Sequence, residues 1–512
     1  AAEIARPAES EVITLSPFVV TADDNQGYQA TSTLAGSRLR TQLKDVAASI
    51  QVFTPELLSD IGATDAGTAL GYGLNTEVGG LQGNFTGATS ADGGQGRTSQ
   101  DEARTNPQGT QRIRGIGAAS LTRNFFLTDI PFDVYNASNI TINRGPNSIL
   151  FGVGSASGII DAGLNRATLG RDQGEVVLRG GKNESFRTSL NFNHVLIKDR
   201  LALRVAALNA KENANQKPSF QADRRLYLDL QAVLFENKKS TFLGSTTLRA
   251  NSEWGTINSN PPMIIPPKVT YNTWWSGVTT NFTKYTGVVV PTTLLTAANG
   301  GTYVPQSTIA GTLGTSSPFA QRPFFFAPAI VYGQPGVSNP QAAFGNFPNA
   351  DGYVGDMLTA AGAAGTPFRT FWTKAPETTA TYGNGFAPPV LQNRNSFDYV
   401  NQLFTGDTNR VLQNFRVFNA SLEQLFFKDN RAGIELAYGK EELNRNALLV
   451  GSDRVFSVYA DSDVSIDLMQ NLPTGEANPN VGKVAVRIQN LGQSSTREIA
   501  HETARATAFY RL

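Results

Sequence analysis

Hydrophobic and polar residues alternate one by one along much of the second half of the chain. Phe186, Thr188, Leu190 and Phe192 fall on one side of such a segment, and Arg187, Ser189, Asn191 and Asn193 on the other. Leu201, Leu203, Val205 and Ala207 repeat the pattern, as do Leu226, Leu228, Leu230, Ala232 and Leu234, opposed by Asp229 and Gln231. A period of two predicts β-strands with two unlike faces. Segments 242–250, 411–426, 432–438 and 497–510 continue the series less regularly, giving about eight strand candidates. Tight turns are predicted at Gly180-Gly181-Lys182-Asn183, Lys198-Asp199-Arg200 and Lys428-Asp429-Asn430, all at one end of the strands. At the other end, residues 253–408 carry no convincing period and 447–494 carry little. Short turns at one end and long loops at the other are the asymmetry of a transmembrane β-barrel. Several candidates also outrun the ~5–6 residues of a common soluble strand and approach the ~9–11 that cross a bilayer. A soluble β-sandwich is the alternative that alternation by itself leaves open.

Residues 31–170 follow a different pattern, that of a small mixed α/β unit. An apolar strand is predicted over 47–53. Thr54-Pro55-Glu56 then offers a capping hydroxyl, a proline at the first helical position and an acid in the first turn, and Gly62 ends that helix. Thr64-Asp65 starts a second helix through Ala66, Ala69 and Leu70. Residues 82–111 hold almost no large apolar side chain and are expected to be a loop, with short strands at 112–117 and 140–143. Residues 1–30 form an extended tail. Its β-branched runs are interrupted by Pro17, and it reaches an acidic turn at Asp23-Asp24-Asn25.

Composition narrows the choice. The 512 residues carry 43 Lys plus Arg and 42 Asp plus Glu, a net charge of +1, so no basic excess points to nucleic acid. Cysteine is absent, which removes disulfides, thiolate metal sites and a cysteine nucleophile. His194 and His501 are the two imidazoles, each alone in sequence, and no metal site is expected. Acidic pairs such as Asp23-Asp24 and Glu441-Glu442 read as solvated turns, and no nucleophile–base pair is visible. The expectation is a protein that is not an enzyme and carries no cofactor. Charged residues make up 17%, against about 25% in ordinary soluble domains, and glycine is enriched. No apolar run reaches 18 residues, so no transmembrane helix is predicted. A polar, weakly charged, glycine-rich chain fits a barrel with a polar lumen and an apolar outer face.

One stretch carries a specific motif. It runs Arg112-Ile113-Arg114-Gly115, Asp129-Ile130-Pro131, Ile140-Thr141-Ile142-Asn143-Arg144-Gly145-Pro146-Asn147-Ser148-Ile149-Leu150-Phe151-Gly152, and Ala156-Ser157-Gly158-Ile159-Ile160-Asp161. This resembles the plug domain of TonB-dependent outer-membrane receptors. That pattern reads Ile-Arg-Gly, an Asp-Gly-x-Pro-like turn, Val-Arg-Gly-Pro-x-Ser-x-Leu-Tyr-Gly, then Gly-Gly-x-Ile-Asn. The resemblance spans roughly residues 10–170. The chain departs from the pattern at Ile130, which stands in place of the turn glycine, at Ser157-Gly158 and Asp161, and at 165–168. In the motif, Arg114 and Arg144 are expected in buried polar networks. Gly115, Gly145 and Gly152 are expected at positive φ or close approach, and Pro146 in a turn. Arg112, Ser148 and Gly158 complete a motif with structural rather than ligand-binding roles.

The resemblance implies a membrane β-barrel of about 22 antiparallel strands with an N-terminal mixed α/β plug. Tail 1–30, plug 31–170 and partial barrel 171–512 are the expected domains, with long extracellular loops at 253–408 and 447–494. Such a barrel needs roughly 220 strand residues, more than 171–512 holds once 253–408 is set aside, so the chain reads as truncated at its C-terminus. No signalling domain is expected ahead of the tail. The resemblance further implies a receptor in the outer membrane of a Gram-negative bacterium. It would import a scarce solute (siderophore, vitamin or oligosaccharide) with energy relayed from the inner membrane. The partners implied are a TonB-type periplasmic transducer, outer-membrane lipids, and a small-molecule or oligosaccharide ligand. A surface lipoprotein is a further partner that the resemblance admits; nucleic acid is not one. The TonB box is placed at Glu11, Val12, Ile13, Thr14 and Leu15, with Phe18–Thr21 as second choice, pairing by strand addition. Arg97 and Arg104 in the 82–111 loop, and Trp274 and Trp275 in the aromatic-rich loop, are the ligand-binding candidates. A passive outer-membrane channel and a secreted glycan-binding β protein are the rival readings.

Overall fold

The computed structural model describes residues 16–18, 25–35, 38–78, 106, 111–145, 155–236, 242–262, 268–269, 326–331, 369–374, 398–403, 405–427, 429–449, 462–467, 484–488 and 493–511. Its N-terminal portion holds a five-stranded sheet of β1 (Ser49–Phe53), β2 (Ser120–Arg123), β3 (Phe126–Leu127), β4 (Ala137–Arg144) and β5 (Gly158–Leu164). The order is β1-β4-β5-β2-β3, with β5 and β2 parallel and the other pairs antiparallel. Two short helices, α1 (Pro55–Asp60) and α2 (Ala66–Leu70), start as their caps predict. Thr54 Oγ1 accepts from the Leu57 amide at 3.3 Å, and Asp65 accepts from the Thr68 amide at 2.8 Å. Each cap satisfies a helical N–H that has no partner inside the helix, worth about 1 kcal/mol. Phe53, Leu58, Leu70, Ile113, Ile140, Ile142 and Ile160 form the core of this inner unit.

The second portion is one antiparallel sheet of eight strands. It comprises β6 (Gln173–Gly180), β7 (Phe186–Ile197), β8 (Leu201–Asn213), β9 (Phe220–Glu236), β10 (Leu243–Asn260), β11 (Arg410–Phe426), β12 (Ala432–Leu449) and β13 (Gln493–Tyr510). Each strand pairs with its neighbour in sequence, which leaves β6 and β13 as the edges among the described residues. The last five are 17 or 18 residues long, well beyond the ~9–11 that span a bilayer. No helix among the described residues is long and apolar enough to cross a membrane.

The two faces of this sheet are inverted relative to a soluble protein. On β9, Asp223, Arg225, Tyr227 and Asp229 are buried, while Leu226 on the opposite face is 42% exposed. On β12, Glu435, Glu441 and Arg445 are buried, whereas Ile434 and Leu436 are exposed. Val176, Leu178, Leu190, Phe192, Phe418 and Leu422 extend the exposed apolar face across the sheet. A charged inner face and an apolar outer face make this a membrane β-barrel wall, and the soluble sandwich is excluded. The registers place outward residues in rows, such as Leu203, Leu230, Ala250, Ala420, Tyr438 and Ala504. Two rows further along, Arg416 and Glu442 form an ion pair on the outward face, in the same row as Leu226 and Trp254.

Three expectations change. The turn at 181–185 joins β6 to β7 at the end opposite the turns at 198–200 and 427–431; it belongs with the long connections, because strand direction reverses at every turn. β10 runs to Asn260 and β12 to Leu449, into stretches read as loop, because Glu253 and Glu441 turn inward where an apolar period would not place them. The long connections also contain strands: Lys268–Val269, Phe326–Val331 and Arg369–Lys374 from one, Ser462–Asp467 and Val484–Ile488 from the other. These join in a single sheet, with Ala329 opposite Ile466, so the two connections are paired to each other.

Candidate functional site: the interface between inner unit and wall

The inner unit packs on the buried face of the wall, and the two meet mainly through charge. Glu253 on β10 is 1% exposed. It accepts from the Tyr135 hydroxyl at 2.9 Å and from Asn136 Nδ2 at 3.0 Å, and pairs with Arg123 at 2.7 Å. Burial and the Glu253 carboxylate push the Tyr135 hydroxyl well above its ordinary pKa. Burial opposes the charge on Arg123, but Glu253 outweighs it and holds the guanidinium pKa up. Arg187 on β7 forks onto Asp133, with Nη1 at 2.9 Å and Nη2 at 2.5 Å. Arg225 forks onto Asp223 on its own strand and donates to the Pro131 carbonyl at 2.7 Å. Such bidentate, charge-assisted contacts set orientation as well as energy.

The turn Asp129-Ile130-Pro131 is held by several strands of the wall. Glu441 on β12 accepts from the Thr128 hydroxyl at 2.6 Å and the Asp129 amide at 2.8 Å. His501 Nε2 lies 2.7 Å from the Asp129 carboxylate. Ile130 is fully buried against Ile257, Phe415, Val417 and Leu443 of the wall. Gly255 makes room for the Phe415 ring: a Cβ there would lie 2.2 Å from its ζ carbon. The residue that departs from the motif's glycine therefore fills an apolar cup in the wall.

Further along the inner unit, Asp229 accepts from the Ala167 amide at 2.6 Å, and Asn193 accepts from the Thr168 amide at 2.8 Å. The tail joins the wall at its short-turn end. The Ser16 hydroxyl donates to Glu423 at 2.8 Å, and Phe18 is 2% exposed with its ring 5.5 Å from that of Phe509.

The motif residues divide. Arg144 is buried, donating from Nε at 3.0 Å and Nη2 at 2.7 Å to the Leu74 carbonyl, and from Nη2 to Gln51. Arg114 corrects the buried-network reading: it is exposed, at φ 55°, in a turn whose amide donates to Asn75. Arg112 pairs with Glu77 at 2.7 Å in a half-exposed position. Gly115, Gly145 and Gly158 take φ of 68°, 104° and 126°. At Gly158 a Cβ would meet the Asn143 carbonyl at 2.1 Å, so no larger residue fits beside β4. Glu11, Val12, Ile13, Thr14, Leu15, Arg97, Arg104, Pro146, Ser148, Gly152, Trp274 and Trp275 lie outside the described residues, as do Asp23-Asp24.

The sequence reading missed Glu253, Arg225, Asp133, Glu423 and Glu441. Glu441, read as part of a solvated turn, is 5% exposed in mid-strand, while Glu442 points outward to Arg416 and Lys440. The available signal was a charge recurring at every second position opposite leucines, as in Asp223, Arg225 and Asp229.

No family model matches the chain, and no curated protein does. Solved structures do. The ferric-catecholate import receptor Fiu from E. coli K12 in its closed form aligns at 12% identity with a TM-score of 0.46, over 97% of this chain and 48% of that one. The ferripyoverdine receptor of the outer membrane of Pseudomonas aeruginosa aligns at 11% and 0.46, over 87% and 40%. The siderophore receptor PiuA from Acinetobacter baumannii aligns at 12% and 0.40, over 96% and 57%. The chain thus spans about half the length of the structures it matches.

Proposed function

We propose that this chain belongs to a TonB-dependent outer-membrane receptor of a Gram-negative bacterium. Residues 1–30 are its periplasmic tail, 31–170 its plug and 171–512 its barrel wall. It binds a scarce extracellular solute and admits it when a TonB-type transducer pulls on the tail. The role is transport, not catalysis.

One observation carries the reading: the charged face of an inside-out wall clasps a unit that has its own sheet and core. A passive channel has no use for a lumen occupied in this way. The polar character of the contact suits displacement. Each interface hydrogen bond contributes only about 0.5–1.5 kcal/mol net, because water replaces it when the two sides part. A force on the tail would therefore break a series of small contacts while the inner core of Phe53, Ile140 and Ile160 stays packed. The tail's attachment at the short-turn end, the periplasmic end of such barrels, supports a pull from that side. Residues 11–15 are a Pro-free, β-branched run of sequence that a sheet edge could take up as an added strand.

The test uses cells carrying the receptor and a panel of labelled ferric siderophores, cobalamin and oligosaccharides. Deleting residues 1–15 is expected to abolish uptake of the cognate solute while leaving its surface binding intact. Uptake that survives the deletion would establish a passive channel; a chain that fractionates without the outer membrane would establish a secreted binding protein.

A further inference from the structure

One of the chain's two imidazoles sits where the inner unit meets the wall. His501, on β13, has its Nε2 2.7 Å from Oδ2 of Asp129, in the turn that seats Ile130. A carboxylate only accepts, so Nε2 carries a proton whenever this bond is made, and the ring's second nitrogen decides its charge. The His501 side chain is 24% exposed, so water reaches the ring and can exchange protons with it. The charged groups around it come from three elements. Asp129 belongs to the turn. Glu441 on β12 stands directly across the ladder from His501 and accepts from the Thr128 hydroxyl and the Asp129 amide. Arg123 on β2 lines the same small cavity, but its guanidinium is committed to Glu253 at 2.7 Å. Lys440 of β12 lines it as well, with Nζ 3.1 Å from Glu442 on the outward face. On β13 itself, Glu502 accepts from the Tyr438 hydroxyl, and Arg505 reaches the Asn124 carbonyl. Two carboxylates, Asp129 and Glu441, thus meet at one turn. Among the described groups facing them, His501 is the one whose side-chain type changes charge between pH 5 and 8.

We propose that His501 and Asp129 form a proton-operated latch between wall and inner unit, tight when the imidazole is charged and slack when it is neutral. Protonation adds an ion pair to the hydrogen bond already present, and places a positive charge beside two neighbouring carboxylates. The other contacts that tie the two parts through charge, such as Arg187 to Asp133 and Arg123 to Glu253, use arginine, which keeps its charge throughout this range. Because the latched state binds the proton more tightly than the released one, the latch strengthens as pH falls and weakens as it rises. It acts on position 129, and the neighbouring Ile130 enters or leaves its apolar cup with it. The latch stands whether or not the transport reading does. Where that reading holds, the inner unit is harder to displace in acid than at neutral pH.

The test is hydrogen exchange of the full chain in detergent at fixed ionic strength. It is read as protection factors of the Asp129 and Ile130 amides, which bond to Glu441 and to the Thr128 hydroxyl, so that the intrinsic pH dependence of exchange is divided out. The chain carries Asp161→Asn throughout, because Asp161, pushed up to about 6 by burial, also titrates at this interface. Protection of both amides is expected to rise about fivefold from pH 8 to pH 5.5. Adding His501→Gln, whose amide still offers Asp129 a donor but does not titrate, is expected to leave protection at its pH 8 level at both pH values. Adding Asp129→Asn instead is expected to remove most of the rise. Equal protection at pH 8 and pH 5.5 with His501 in place would overturn the latch in favour of an ordinary structural hydrogen bond. An undiminished rise in the His501→Gln chain would overturn it as well, and assign the titration to another group.

Discussion

Single residues at the interface carry distinct physical tasks, and Ile130 and Asp161 show the range. Ile130 is a knob with no exposed surface, seated in a cup of Ile257, Phe415, Val417 and Leu443. Ile130→Ala is expected to destabilise the protein by about 2–4 kcal/mol, read as a fall in the denaturant midpoint in detergent. Asp161 behaves in the opposite sense. Desolvation raises its pKa to about 6, against the pull of Thr122, the Phe125 amide and Arg505. The folded state therefore keeps a proton that the unfolded chain loses near pH 4. This group's contribution to stability is largest below pH 4 and falls as pH rises through 6, by up to about 3 kcal/mol. Asp161→Asn keeps an acceptor for both donors and removes the buried charge. It is expected to raise stability at pH 7.5 and to flatten the pH profile between 4 and 6.5. A variant with the wild-type slope in that window would show that another group titrates there.

Strands are the elements that decide where the protein resides. Their outward positions are apolar near the short-turn end, in the row of Leu203, Leu230, Ala250 and Ala420, and become mixed further along, where Leu226 and Trp254 share a row with Arg416 and Glu442. Leu230 sits within the apolar band, flanked by Leu203 and Ala250. Leu230→Arg is expected to cost about 2–4 kcal/mol, measured by reversible unfolding in lipid, because a guanidinium would be held in hydrocarbon. The strand period was legible from leucines alone, but strand ends were not. The pattern of β10 loses its apolar beat after Ala250, at Asn251-Ser252-Glu253, although the strand continues ten residues further, to Asn260. Glu253 is buried there for a reason no local window contains: Arg123, Tyr135 and Asn136 wait on the other side. The caps of α1 and α2, by contrast, were readable, because a cap involves residues three apart.

At the scale of the whole molecule, the inner unit and wall complete each other. Buried carboxylates of the wall are paired by groups of the inner unit, and removing one partner of such a set leaves the others desolvated and unmatched. Glu253→Gln is expected to destabilise the assembly by about 3–5 kcal/mol, seen as faster hydrogen exchange in β2 and residues 134–136 while the wall strands stay protected. Equal loss of protection in both parts would mean that they unfold as one body.

From residues alone came the two-faced strands, the capped helices, the glycine-dependent turns at Gly115 and Gly145, and the motif series that ends at Asp161. All are local: periods of two, caps three residues apart, φ angles of single positions. Which face of each strand meets lipid, that Arg144 is buried while Arg114 is exposed, and that Glu441 is an anchor rather than a surface charge were decided only in three dimensions. Glu441 meets Asp129 across 312 positions of sequence, and Glu253 meets Asn136 across 117. Alternation is symmetric between its two faces. Only the unit held against one of them, and the solvent left to the other, breaks that symmetry.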